Sequence, residues 1–285
     1  MDKKTAEKLY EAFYMKVFSY VMTLAKDRLD AEEITQETFF RAISTDKSFR
    51  GDSDSYTWLC AIAKNIFIDS KRHYANQEDE IPEELIKNSK IFHFGTLSMT
   101  HEGVREATKK ALDVARNAGV MISFDPNLRP PLWDSLETAR EQVLYGLGFC
   151  DVLKISDNEI EWLTGENDYT AGVEWIRERY NIPLILVSMG RDGSRAYYDG
   201  GSSKKIMVEE KAFLHENTVD TTGAGDTFFG CILHYLCRYD ISELNETLLA
   251  EMLRFANAAA SIVTTRKGAL RVMPDVSEVK RLLKA

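Results

Sequence analysis

The sequence predicts an α/β protein: a mostly parallel, doubly wound sheet standing behind a small all-α helical domain. From Ile91 onward, short apolar runs alternate with stretches of helical periodicity, the pattern of βαβ units. Before residue 75 the apolar residues instead recur at helical spacing, and that stretch holds no proline and a single glycine, Gly51. Between the two lies "ANQEDEIPEELIKNSK", residues 75–90, polar, acidic and carrying Pro82. It reads as a linker or a short solvated helix. The expected organisation is a helical domain at 1–74, a linker at 75–90 and an α/β domain at 91–285.

In the front segment the apolar series run Leu9, Phe13, Val17, Tyr20 and Val21, then Ile34, Phe39 and Ile43, then Trp58, Ile62, Ile66 and Ile68. Each series marks one face of an amphipathic helix, so three or four helices are expected. The α/β part opens with the strand "IFHFGTL" and a helix over 101–118, followed by "VMISFD" and a helix over 133–147. "DVLKIS" precedes helices over 157–164 and 169–180, and "PLILVSMG" precedes a strand pair around 195–210. A long helix begins near 223 and another spans about 244–264. In such sheets, ligands bind beyond the carboxyl ends of the strands.

Length and composition set the outer limits. The 285 residues, 44% hydrophobic and 28% charged, suffice for about two buried cores. No run approaches the roughly 18 uninterrupted apolar residues of a membrane span. "MDKKTAEKLYEAF" reads as the start of a helix and not as a signal peptide, because acidic residues follow the lysines and no small-residue cleavage site appears. Cys60, Cys150, Cys231 and Cys237 form no CxxC pair, which points to a reducing cytoplasm and away from a disulfide framework or zinc site. The net charge of −9 disfavours wholesale coating of nucleic acid and leaves room for a local basic patch.

The most informative stretch is Val219–Gly230, "VDTTGAGDTFFG". Phe228, Phe229, Ile232, Leu233 and Leu236 follow helical periodicity, so the glycines fall at a helix N-terminus. There the first N–H groups lack intrahelical partners and the dipole is positive. Gly223, Ala224 and Gly225 remove side-chain bulk, so an anion can approach those amides. Asp226 in the same turn would repel a passive phosphate. It could instead take the proton of a hydroxyl attacking phosphorus. The plainer alternative is a glycine-rich turn in which Asp226 only favours the helix start. Neither a Walker loop nor a dinucleotide fingerprint fits, since no GK[ST] follows and the third glycine comes too late.

"DTTGAGD" resembles the C-terminal signature of the ribokinase/PfkB family of sugar kinases. The resemblance extends over about Ile91–Leu283, where "HFGTLSMTHE", "SFDPNLRPPLW", "DVLKISDNEIEWLTG", "LVSMGRDGS" and "FANAAASIVTTRKGA" look like bacterial fructokinases in the same order. It implies an ATP- and magnesium-dependent kinase of a fructose-like sugar on a ribokinase-like sheet. Asp226 would be the catalytic base, and Gly223, Ala224 and Gly225 the anion hole. Ser188, Met189, Gly190, Arg191, Asp192 and Gly193 would wrap the nucleotide phosphates and ribose, and Asn257 would lie against the adenine. Glu159 would orient magnesium-bound water, although Ser156 replaces the family's usual asparagine. Asp220, Thr222, Val263, Arg266 and Gly268 would hold a monovalent cation such as potassium, whose further ligand falls at Val272.

Plainer readings stand beside these. Asn257 could be a helix-surface amide, and Glu159 one of four solvated acids with Asp157, Glu161 and Glu166. Asn127 and Arg129 in "DPNLRPP" could form a turn held open by Pro126, Pro130 and Pro131, or face substrate or phosphate. The family's front portion, with its paired-glycine sugar signature, sugar-gripping aspartate and β lid, is not recognisable before Ile91. The expectation is impaired turnover unless another chain supplies the sugar-holding half, together with self-association through an uncovered sheet edge.

"DAEEITQETFFRAI" and "FRGDSDSYTWLCAIAKNIFIDSKRH" resemble the second conserved region of extracytoplasmic-function sigma factors, over about Tyr10–Tyr74. By that resemblance Asp30, Glu32, Glu33, Gln36 and Glu37 would dock on RNA polymerase core. Trp58, Lys64, Asn65, Lys71 and Arg72 would face melted promoter DNA, the aromatic ring stacking on bases and the cations meeting phosphates. Trp58 could equally be a core aromatic, and Lys71–Arg72–His73 a cationic helix end. The chain thus reads as a chimera, a sugar kinase first and a transcription-associated module as the alternative, or as a fusion with no joint function.

Overall fold

A computed structural model describes residues 3–25, 28–44, 55–76, 81–201, 204–215, 217–268 and 270–284. The chain divides into two compact units, Met1–Glu80 and Ile81–Ala285. The first contains α1 (Lys3–Ala25), α2 (Arg28–Ser44) and α3 (Ser55–Asn76). Their apolar stripes meet in a core of Val17, Val21, Ala31, Ile34, Phe39, Leu59, Ala63 and Ile66. Buried Thr35 and Thr38 satisfy their hydroxyls by donating to the carbonyls of Ala31 and Ile34, one turn earlier.

In the second unit, the acidic linker ends in a short helix, α4 (Glu83–Lys87). Six strands then form one sheet in the order of the chain: β1 (Ile91–Gly95), β2 (Met121–Asp125), β3 (Val152–Ser156), β4 (Leu184–Ser188), β5 (Ser194–Asp199) and β6 (Lys205–Glu210). β1 to β4 are parallel, and β5 and β6 are antiparallel additions. The crossovers carry α5 (Glu102–Asn117), α6 (Leu136–Leu147), α7 (Asp157–Thr164) and α8 (Tyr169–Arg177). After β6 come α9 (Ala224–Leu236), α10 (Glu246–Thr264) and α11 (Val276–Lys284).

Both sheet faces are covered, as the sequence predicts, but by a different route. The strand order never reverses, and right-handed crossovers that advance in one direction set their helices on one face. That face buries Phe94, Phe124, Leu153, Ile155, Ile185 and Val187 against Leu112, Val143, Ile160 and Ile176 of α5 to α8. The opposite face, one residue out of phase along each strand, buries Val152, Leu184, Leu186, Ala196 and Val208 against Phe228, Phe229, Ile232, Met252 and Leu253 of α9 and α10. The second layer therefore comes from the chain's return after the β5–β6 hairpin.

Local chemistry sets the boundaries. The helix expected from 133 begins at Leu136, because Pro130–Leu132 form a 3₁₀ turn and the Ser135 hydroxyl caps the N–H of Thr138 at 3.0 Å. α11 was not expected from the sequence. Gly193 sits at φ +106°, and an added Cβ there would overlap the carbonyl oxygen of Glu210. We predict that Gly193→Ala lowers unfolding stability by about 1–3 kcal/mol. Gly230→Ala, in an open helical position, is expected to raise it by about 0.5–1 kcal/mol. Urea denaturation of the two variants checks the contrast.

Candidate functional site

The parallel strands end at Gly95, Asp125, Ser156 and Ser188, and Asp226 in the first turn of α9 lines one cavity with Gly95 and Asp125. Gly223 turns the chain at φ +80°, a left-handed conformation that glycine adopts without a steric cost, and the helix starts at Ala224 without a side-chain cap. The Ala224 N–H donates to the Thr221 carbonyl at 3.2 Å, and the Thr227 N–H to the Gly223 carbonyl at 2.9 Å. Among the described residues, the N–H groups of Gly225 and Asp226 have no acceptor. Asp226 is exposed and enters a cavity of about 550 Å³, which also presents His93, Gly95, Ser98, Asp125 and Asn127. An uncapped helix tip with a carboxylate beside it, open to a cavity, can gather an anion and accept a proton.

Beneath that tip lies a pair the sequence reading did not single out. Asp125 at the end of β2 and Lys154 in β3 are buried, 5% and 6% exposed. The Lys154 ammonium lies 3.2 and 3.1 Å from the two Asp125 carboxylate oxygens. It also abuts the glycine turn, 3.5 Å from where a Cβ on Gly225 would stand. Burial raises the Asp125 carboxyl to about 6, against the downward pull of Lys154; the charges of Glu159 and Asp226 add to the rise. His93 donates to or accepts from the Ser123 hydroxyl at 3.0 Å. Desolvation lowers its imidazole below its ordinary value, opposed by the nearby Asp226 charge. The signal for the pair was present in "VMISFD" and "DVLKIS": charged residues inside strands that are otherwise apolar.

The loop after β2 is pinned on both sides. The Pro126 carbonyl accepts from the N–H and hydroxyl of Thr96 at 3.3 and 2.5 Å. Asn127 adopts φ +45° and donates its N–H to Asp125 at 3.2 Å. A left-handed non-glycine residue at a cavity wall carries strain that its surroundings must hold. Glu159 does the holding from below: one oxygen accepts the Leu128 N–H at 2.7 Å, the other the Ser156 N–H and hydroxyl at 2.9 and 2.8 Å. It is buried, so the reading of Glu159 as one solvated acid among four is corrected. Arg129 is exposed, its guanidinium on the Leu128 carbonyl.

Asn257 is also not a surface amide. It is buried, its amide donates to the carbonyls of Glu210 and Lys211 at 3.0 and 3.2 Å, and its oxygen accepts from Ser194 at 2.9 Å. These bonds staple α10 to the ends of β5 and β6 and leave the side chain little capacity for an adenine. Ser188 closes β4, and Gly190, Arg191 and Asp192 form an exposed 3₁₀ turn closed by the Met189 N–H on the Gly193 carbonyl at 2.9 Å.

The segments expected to hold a monovalent cation do meet. The N–H groups of Val219 and Asp220 donate to the Thr264 carbonyl, and Asp220 accepts from the N–H groups of Thr222 at 2.9 Å and Gly268 at 3.3 Å. Those amides hold its carboxyl below the usual range. Val263 is buried, and Arg266 turns its guanidinium to Glu278 at 2.5 Å. In the helical unit, Asp30, Glu33 and Gln36 are exposed on α2, while Glu32 and Glu37 pair with Arg28 and Arg41 at 3.0 and 2.7 Å. Trp58 is half-buried against the core, and Lys64 and Asn65 are exposed on α3. Lys71 and Arg72 fall outside the described side chains.

The family model for pfkB carbohydrate kinases matches residues 61–276, and that for sigma-70 region 2 matches residues 9–77. Fructokinase-2 of Solanum lycopersicum is 41% identical over 208 residues, 72% of this chain and 61% of that protein. The structure of fructokinase with bound ATP from Xylella fastidiosa aligns with a TM-score of 0.64 at 28% identity, covering 72% of this chain and 64% of the other. A fructokinase double mutant from Vibrio cholerae O395, solved with fructose, ADP and potassium ion, aligns at 0.60 and 28%, covering 68% and 60%. The chain spans 61% of the length of curated relatives it matches. No helix among the described residues is long and apolar enough to cross a membrane.

Because Asp125 is raised above its ordinary value of 3.8 to about 6, its protonated form favours the folded chain. Its contribution to stability is full below pH 4 and is lost as pH rises through about 6. We predict that Asp125→Asn flattens this part of the stability profile. In Lys154→Met, with the cation gone, the Asp125 carboxyl should titrate above its wild-type value. Carbon-detected NMR of the carboxyl resonance checks both the value and the direction.

Proposed function

Because the chain belongs to the pfkB family of carbohydrate kinases, we propose that its α/β unit transfers the γ-phosphoryl group of ATP to a hydroxyl of a fructose-like sugar. The observation that carries this reading is the first turn of α9: amides at Gly225 and Asp226 without an acceptor among the described residues, with the Asp226 carboxylate open to the cavity. The amides take up charge on the phosphoryl oxygens in a site where no reorganisation is needed. Asp226 accepts the hydroxyl proton as the sugar oxygen bonds to phosphorus and the bond to the ADP oxygen breaks. Asn127, held in its left-handed conformation at the cavity wall, faces the acceptor.

The donor set fits a phosphate chain better than an all-protein metal cage. Among the described residues no group of three acidic, histidine or cysteine side chains is placed to hold a metal ion. Magnesium carried in with the nucleotide would neutralise phosphate oxygens, and Glu159 would be the carboxylate for a water of its shell. A potassium-like cation would sit where the backbone of 220–222 approaches that of 264–268. A cytoplasmic setting accords with ATP use and with the unpaired cysteines.

The test is ADP release from ATP and magnesium with and without fructose. Fructose-dependent release is expected, and Asp226→Asn should lower it by about 10²–10⁴-fold while leaving nucleotide binding in place. Fructose-independent release, or an Asp226→Asn variant as active as the parent, would refute the assignment.

The match of residues 9–77 to sigma-70 region 2 favours a second reading of the helical unit, a module that binds RNA polymerase core and promoter DNA. Exposed Asp30, Glu33 and Gln36 on one helix form its acidic docking face. Pull-down of polymerase core by the full chain is expected, weakened about tenfold by Asp30→Lys with Glu33→Lys. Undiminished capture by that double variant would exclude this face.

A further inference from the structure

The cavity beside α9 poses an electrostatic problem that its lining does not solve. Asp125 and Asp226 both face it, and among its described lining residues there is no lysine or arginine. A nucleotide phosphate chain brought there would meet like charge, countered by the helix tip alone. One buried cation stands directly below. The Lys154 ammonium lies under the glycine turn, and among the described residues its bonds run only to the two Asp125 oxygens.

Stability does not account for this pair. A buried ion pair costs desolvation on both sides, and an apolar residue in the middle of β3 would pack at least as well. The strand around Lys154 is fully apolar: Val152, Leu153 and Ile155 are all 0% exposed. An ammonium also carries three N–H donors, one more than a carboxylate gripping it by both oxygens needs. The position matters as much as the charge. Lys154 lies beside the residue whose free N–H is aimed at the incoming anion, so ammonium and helix dipole add at one point.

We infer that Lys154 is a positioning residue for the phosphoryl group: clamped by Asp125 beneath the α9 tip, it is the fixed cation that lets a polyanionic ligand settle against the Gly225 and Asp226 amides. Asp125 is its counter-charge, and holds the ammonium in place while offsetting part of its field. This inference rests on the kinase reading, and it assigns opposite signs to the two partners. Removing Lys154 withdraws attraction for phosphate. Removing the Asp125 charge leaves Lys154 unopposed and strengthens that attraction.

The experiment titrates the full chain with ADP and with adenosine at constant magnesium and ionic strength, by calorimetry, for the parent, Lys154→Met and Asp125→Asn. Lys154→Met should weaken ADP about tenfold and leave adenosine unchanged: a lone unit charge several ångströms away at an effective dielectric near 20 would be worth about a hundredfold or more, and the Asp125 carboxylate offsets part of it. Asp125→Asn should tighten ADP severalfold, again without effect on adenosine. A merely structural pair would weaken both ligands in both variants, and that pattern overturns the inference, as does an unchanged ratio of ADP to adenosine affinity in Lys154→Met. Should Lys154→Met fail to fold, Asp125→Asn decides alone, since tighter ADP supports the inference and weaker ADP overturns it. A parent chain that binds neither ligand removes the kinase reading itself, and this inference falls with it.

Discussion

The ion pair between Asp125 and Lys154 ties the sheet to its chemistry. Strands β2 and β3 are registered with Ser123 beside Val152 and Phe124 beside Leu153, so the next step sets Asp125 beside Lys154. The pleat then turns both side chains to the face that α9 covers. Slipping this register by one residue would put the carboxylate and ammonium into the Phe94–Phe124–Leu153 layer and the aromatic rings under the glycine turn. The apolar contacts that fix the register therefore also fix the charge beneath the first turn of α9. Glu159 extends the arrangement outward, holding Ser156 with one oxygen and Leu128 with the other, so the strained Asn127 loop is anchored to the start of α7.

That arrangement explains why the tip of α9 can be left without a cap. A helix start that met solvent would gain about 1 kcal/mol from a capping serine or aspartate. Here Gly223 fills the cap position and forgoes that bond. Packing compensates: Phe228, Phe229 and Ile232 in the next two turns are almost fully buried against the sheet. The helix is held by its apolar side, which frees its first amides for something other than holding the helix. α6, α7, α8 and α10 begin with Ser135, Ser156, Asp168 and Asn245 as side-chain caps, whereas α5 and α9, which both line the cavity, begin without one.

Much of this was legible in the sequence, and what was not has a physical reason. Apolar runs located β1 to β4, because a strand covered on both faces is largely apolar, whereas β5 and the more exposed β6 were placed only as a pair around 195–210. "GAGD" located the helix tip, because the glycines have no other use there. Strand order escaped, since periodicity records which residues are buried and not which strand lies beside which. Lys154 and Asp125 were in plain view inside apolar runs, yet 28 residues separate β2's end from the middle of β3, and only the sheet makes them neighbours. The plainer alternative for Asn257, a helix-surface amide, fails for a related reason. Its neighbours Ala256, Ala258 and Ala259 are buried with it, and the antiparallel β6, which the helix packs against, supplies carbonyls that draw its amide inward.

Residues 61–77 lie in both family matches, and packing decides where they belong. Leu59, Ala63 and Ile66 recur at helical spacing along α3 and bury at 0%, 0% and 7% exposure in the three-helix core with Val17, Val21 and Ile34. A helix has one apolar stripe of limited width, and this one is spent on α1 and α2. α3 therefore belongs physically to the helical unit. The α/β unit first gathers its own apolar contacts at Ile81 and Ile86, which join the layer of Phe94 and Leu112. The kinase signature is thus carried by a unit whose core, ion pair and helix tip all lie beyond residue 80. The chemistry proposed for it needs no side chain from the helices in front.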